Sequence, residues 1–217
     1  MIGSLEFKGV SLDEVQSSPF VGVNIDNTLS WKQHIAEVKK KISRMTGVFY
    51  KLRHTVPEYV LVLMYNAFVL PHITYGLEVW GNTCPTYLNE IFLIQKRIVR
   101  TITDSHWCAH SEPLFKRLNI LDIFKQHKIQ LVVIIHDVLQ LRLPDTFQDF
   151  FTPIKHSFTT QQSARNDLTI PKANHRTGQF TVKYSGAKLW NCVPYNIRNI
   201  NSRSNFQTEF QNYLQSL

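Results

Sequence analysis

Lys40, Arg44 and Lys51 recur along one polar line of the segment 31–54, in step with Ala36 and Gly47. Cations at that spacing can meet successive phosphates of a nucleic-acid backbone, because ammonium and guanidinium groups displace condensed counterions. The whole segment carries Lys32, Lys39, Lys40, Lys41, Arg44, Lys51 and Arg53 against Glu37 alone. Gly47 interrupts the row with no side chain, which would let a ligand backbone come close. The same row also suits a solubilising face on an ordinary amphipathic helix, and spacing by itself does not choose between the two.

Other chemistry has thinner support. Asp13 and Glu14 are adjacent acids in a region of short strands, and Asp145 and Asp149 read as solvated loop carboxylates, since a two-metal centre needs its carboxylates rigidly held. No phosphate loop or dinucleotide-binding glycine fingerprint is present. His106-Trp107-Cys108-Ala109-His110 groups soft ligands that, with Cys84, could approach a zinc set; established ligand spacings differ, and packing is the simpler reading. Nothing ties Cys108 or Ser111 to a base and an orienting carboxylate. Trp80 and Trp190 could stack on bases, but each sits among apolar residues and reads as core. The chemistry predicted is therefore binding, with no catalytic and no metal-ligating residues.

The elements that would position the cation row follow from periodicity. Ile35, Val38, Ile42, Met45, Phe49 and Leu52 recur at three- and four-residue steps and form the buried stripe of a helix opposite the cations, with Ser30 as the expected N-cap. Upstream, residues 5–7 and 10–12 predict a small hairpin and residues 19–25 a further strand. Pro57 opens a second helix reaching about Val69, with Val60, Leu61, Leu63, Met64, Ala67 and Phe68 inward; Pro71 ends or kinks it, and a shorter helix continues to Trp80. A helix from Pro85 buries Leu88, Ile91, Phe92, Gln95, Ile98, Val99 and Ile102, leaving Lys96 and Arg100 on its outer face as a secondary basic patch. A short helix to Leu118 and a long one over 121–141 complete a helical bundle. Residues 144–171 read as linker or loop, including Asn166 and Asp167. Residues 178–184 predict a short strand, and a terminal helix carries Phe206, Phe210 and Leu214. The fold class is mainly α, a helical bundle with a small N-terminal hairpin and strand and a short β element near the C-terminus. The expected divisions are residues 1–30, 31–143 and 144–217.

Composition agrees with a folded, basic chain. The 217 residues are 43% hydrophobic and 12% aromatic, with net charge +8 and a pI near 9.4, which favours polyanionic partners over a neutral small-molecule substrate. No apolar run approaches the roughly 18 to 20 residues of a membrane-spanning helix. The first residues lack the regions of a signal peptide, and three widely spaced cysteines offer no disulfide framework; a reduced, intracellular setting is expected.

Several motifs in order resemble the C-terminal part of reverse transcriptases from non-LTR retrotransposons, particularly the jockey-like group. Phe20-Val21-Gly22-Val23-Asn24-Ile25-Asp26-Asn27-Thr28-Leu29-Ser30-Trp31 is similar to a family segment that follows the polymerase palm, with Pro19 in place of the usual basic or polar residue. Lys40-Lys41-Ile42-Ser43, Leu63-Met64-Tyr65-Asn66-Ala67, Pro71-His72-Ile73-Thr74-Tyr75-Gly76 and Trp80-Gly81 resemble the thumb. Gln95-Lys96-Arg97-Ile98-Val99-Arg100, His110-Ser111-Glu112-Pro113 and Gly186-Ala187-Lys188-Leu189-Trp190-Asn191 continue the likeness. The resemblance implies that the basic helix is a thumb helix tracking an RNA or DNA template–primer duplex. Arg44 and Lys51 would be the leading phosphate contacts, Lys40 next, and Lys96 and Arg100 a second patch. It also implies a piece without polymerase activity, from a truncated or mispredicted reading frame. The magnesium-binding carboxylates belong to a palm outside these residues, so no cofactor is expected here, and a separate palm is a further expected partner. The alternative is a structural or protein-interaction module with no nucleic-acid role.

Overall fold

The computed structural model describes residues 5–7, 10–12, 15–154 and 167–216. Two antiparallel hairpins come first. β1 (Leu5–Phe7) pairs with β2 (Val10–Leu12), and β3 (Ser17–Phe20) pairs with β4 (Val23–Asp26), setting Ser17 opposite Asp26 and Phe20 opposite Val23. The single strand expected over 19–25 is thus folded back on itself. Val21 and Gly22 both take positive φ, 46° and 76°, as both central residues do in the type I′ two-residue hairpin turn.

Asp26 then turns the chain into α1 (Lys32–Leu52). Its carboxylate accepts the N–H groups of Thr28, Ser30 and Trp31 at 3.1, 2.9 and 2.8 Å. Ser30 is therefore not the cap: Trp31 holds that position in the left-handed region, φ 62°, with its side chain buried. Ile35, Val38, Ile42 and Phe49 are buried as expected, while Met45 and Leu52 pack half-buried beside them. Each fully buried side chain of this size contributes about 1.5–3 kcal/mol.

α2 (Glu58–Phe68) stops before Pro71, and α3 (Leu70–Thr74) and α4 (Leu77–Trp80) follow. The inward face of α2 differs from expectation. Leu61, Tyr65, Val69 and Ile73 are wholly buried, whereas Leu63 and Phe68 are exposed, as is Ala67. The buried ridge follows the four-residue step, which brings Tyr65 inward because its hydroxyl finds a partner there. α5 (Pro85–Ile102) packs along α1 and buries Leu88, Ile91, Ile98, Val99 and Ile102. α6 (Ser111–Arg117) and α7 (Ile123–Leu139) follow.

Among the described residues two apolar clusters are buried. One gathers α1 through α6 and the start of α7 around Ile42, Phe49, Trp80 and Ile98; the other lines the remainder of α7 with Trp190, Phe206 and Phe210. Beyond a 3-10 helix at Asp145–Phe150 come α8 (Arg176–Gln179), α9 (Val182–Asn191), α10 (Tyr195–Arg198) and α11 (Arg203–Ser216). The strand expected over 178–184 is thus helical at both ends. The Thr181 hydroxyl takes the N–H of Tyr184 and starts α9 there, a local cap that overrides the β-branched and aromatic run. Nor does Asp167 sit in a loosely packed loop. It is buried and bonded to Arg198 at 2.7 Å, while Asn191 pairs with both backbone groups of Leu168. Asp13, Glu14, Asn166 and the polar string 159–163 lie outside the described residues. No helix among the described residues is long and apolar enough to cross a membrane.

Candidate nucleic-acid interface

α1 carries six cations and one carboxylate within Lys32–Leu52, and its buried stripe decides which of them reach solvent. Lys40, Arg44 and Lys51 lie opposite Ile42 and Phe49, are exposed, and make no ion pair among the described residues. From Lys40 to Lys51 the ridge runs about 16 Å at 1.5 Å per residue. Lys32 and Lys41 are also exposed on flanking lines. Lys39 turns to α5 and pairs with Glu90 at 2.8 Å, and Glu37 accepts a hydrogen bond from the Asn24 amide at 2.6 Å. The single acid of the helix is therefore engaged with the hairpin. Open space surrounds the Gly47 Cα, so the middle of the ridge presents bare backbone.

His34 takes no part in this charge. It is buried beside Trp80, ring centroids 5.4 Å apart, and its Nδ1 accepts the Asn24 N–H. Burial holds its pKa below the ordinary value with help from Lys41, against the pull of Glu37.

The two cations assigned to α5 do not join the ridge. Lys96 folds over the Phe92 ring at 4.2 Å, and Arg100 bends back to donate to the Ala109 carbonyl at 2.9 Å. They line different depressions, Lys96 with Lys116 and Lys125, Arg100 with Arg53 and Arg97. Periodicity had placed both on one outer face, but the loop after α5 claims the Arg100 guanidinium.

His106, Trp107, Cys108 and His110 form no strand and no packed cluster. They lie on a surface turn, with Trp107 78% exposed. Among the described residues no three His, Cys, Asp or Glu side chains converge as a metal-binding group. Trp80 and Trp190 are buried, as their apolar neighbours predict.

Sequence comparison supplies the chain's kinship. Over 120 residues, 54% of this chain, it is 22% identical to the probable RNA-directed DNA polymerase from transposon X-element of Drosophila melanogaster. Over 125 residues, 56% of the chain, it is 26% identical to the probable RNA-directed DNA polymerase from transposon BS of the same species. Over about half of its length the chain is thus similar to reverse transcriptases of Drosophila non-LTR retrotransposons. The RNA-directed DNA polymerase from mobile element jockey of Drosophila melanogaster matches at 24% over 109 residues, 48% of the chain. These stretches cover 13%, 14% and 12% of the relatives' own lengths. No family model matches the chain, and no solved structure matches it significantly.

The motifs that resemble the retrotransposon family do structural work here. The Tyr75 hydroxyl donates to the Val21 carbonyl at 2.7 Å, Trp80 Nε1 donates to the Tyr75 carbonyl at 2.8 Å, and Thr83 Oγ1 donates to the Ser30 carbonyl at 2.9 Å. These bonds fasten the β3–β4 hairpin and the start of α1 to the bundle, and so fix the direction in which the cation ridge faces.

Proposed function

We propose that α1 binds a nucleic-acid duplex, the template–primer of a reverse transcriptase, through sequence-independent phosphate contacts from Lys40, Arg44 and Lys51. The observation that carries this reading is the uncompensated ridge: three exposed cations without an ion pair among the described residues, on a helix whose opposite side is locked into a core. Kinship with RNA-directed DNA polymerases supports nucleic acid as the polyanion. Lys96 and Arg100 make a lesser contribution on this reading, because each is already engaged by a ring or a carbonyl. These residues hold the duplex as a thumb does and perform no chemistry. The polymerase carboxylates and their magnesium ions belong to a palm, and this chain could meet that palm as a separate partner.

The test is duplex binding followed against salt. Three phosphate contacts give log K a slope of about −2.7 against log salt, −0.9 for each. Replacing Lys40, Arg44 and Lys51 together by glutamate should abolish binding and leave the helical circular dichroism intact. Unchanged affinity would return the cations to a solubilising role in an interaction module. Primer extension with magnesium and nucleotides should yield no product from the chain alone.

A further inference from the structure

A second surface lies beside the cation ridge, with Tyr50 about a quarter-turn around α1 from it at 100° per residue. α1, α5 and the loop that follows α5 enclose an open groove of about 600 Å³. Tyr50 contributes from α1 and Arg53 from its C-cap, Leu93, Arg97 and Arg100 from α5, and Trp107 from the loop. Three of these are large apolar side chains left in solvent, Tyr50 59%, Leu93 54% and Trp107 78% exposed. An indole so exposed costs hydration free energy that a partner would recover.

The groove is held in shape. α5 ends with Asp104 in the left-handed region, φ 47°, and the Ser105 N–H returns to the Arg100 carbonyl at 2.9 Å. The Ala109 N–H closes a turn onto the His106 carbonyl, and Arg100 clamps the Ala109 carbonyl from α5. Trp107 therefore stands on a tied turn. Across the groove the Arg53 guanidinium lies 4.1 Å from the Tyr50 ring centroid, a stacked cation and aromatic pair.

Charge selects the partner. Three guanidiniums face one carboxylate, Asp104, which sits 3.8 Å from Arg53. The Arg97 side chain is exposed with no ion pair or hydrogen bond among the described residues. An apolar helix would strand these cations, whereas an unpaired nucleotide supplies both a π-face for the rings and a phosphate for the arginines. We propose that this groove binds a single-stranded nucleic-acid segment, with a base stacked on Trp107 and its phosphates on Arg97 and Arg53. The proposal deepens the duplex reading by adding a seat for the unpaired strand beside it, yet its test is independent of the ridge.

Tryptophan fluorescence reads the groove directly, since Trp31, Trp80 and Trp190 are buried and Trp107 is not. A single-stranded oligothymidylate titrated into the full chain should quench this emission saturably. Trp107→Leu should remove the quenching, and both Trp107→Leu and Arg97→Gln should weaken single-strand affinity, measured by anisotropy of a labelled oligonucleotide, about tenfold. Duplex affinity should survive Trp107→Leu, and the ridge variant with glutamate at 40, 44 and 51 should keep its single-strand quenching. Absent quenching, single-strand affinity unchanged in both groove variants, or an equal response to polyglutamate would each overturn the proposal. Single-strand binding with no duplex binding would uphold the groove and sink the duplex reading instead.

Discussion

Gln95 donates from Nε2 to the Tyr65 hydroxyl at 2.7 Å inside the bundle, and both residues are completely buried. The same amide accepts the Ile123 N–H at 2.9 Å through Oε1 and reaches the Leu121 carbonyl at 3.4 Å. One side chain thus joins α2, α5 and the first turn of α7. Burial pushes the Tyr65 phenol well above its ordinary pKa, against the Gln95 bond, with Asp122 adding to the rise. Gln95→Leu keeps volume but strands the phenol and the Ile123 N–H, and should cost about 1–3 kcal/mol for each group left unpaired. Tyr65→Phe should cost less, since Gln95 retains its backbone partners. Urea midpoints of the two variants measure the difference.

Asp26 gives an acid-range prediction. Burial disfavours its charge, but hydrogen bonds from the Thr28 hydroxyl and from the Ser30, Trp31 and Thr28 N–H groups outweigh that and lower its pKa from 3.8 to about 2. Because the folded value is the depressed one, the stability it confers is complete above pH 3.8 and is lost as pH falls through about 2. Asp26→Asn should lower the thermal midpoint at pH 7 and remove that part of the acid dependence.

His127 should act higher on the scale. Burial, with Lys128 adding to the effect, lowers its pKa from 6.5 to about 4, and its Nε2 is shielded from solvent without a hydrogen-bond partner among the described residues. The unfolded chain binds the proton more readily, so stability should fall as pH drops from 6.5 towards 4. His127→Leu should flatten the curve over that interval, and thermal melts at half-unit steps would show it.

Two glycines should respond with opposite signs. A Cβ at Gly81 would lie 2.4 Å from His127 Cδ2 and 2.3 Å from the Leu77 carbonyl, so Gly81→Ala should destabilise by about 1–3 kcal/mol through overpacking. At Gly47 the Cβ meets nothing within 4 Å, and Gly47→Ala should stabilise the helix interior by about 0.5–1 kcal/mol. On the proposed function that alanine also stands between backbone and phosphate. Higher stability with weaker duplex affinity is the expected pair of results, read from urea melts and a salt titration.

What the sequence determined by itself was periodic. The stripe from Ile35 to Phe49 places Lys40, Arg44 and Lys51 on the far side of their helix, because helical geometry allows no other arrangement once that stripe is buried. Gln95 declared itself by falling within an apolar stripe, and Phe206, Phe210 and Leu214 by their four-residue step. Tertiary structure decided whatever depended on residues distant in the chain. Tyr65 turned inward because Gln95, thirty positions later, could satisfy its hydroxyl, and Asp167 was buried because Arg198 met it. The Arg100 guanidinium left the outer face for the Ala109 carbonyl, and Tyr50 came to face Trp107 across a groove that no local pattern encodes. Spacing fixes which side of a helix a residue occupies; only packing fixes what it meets there.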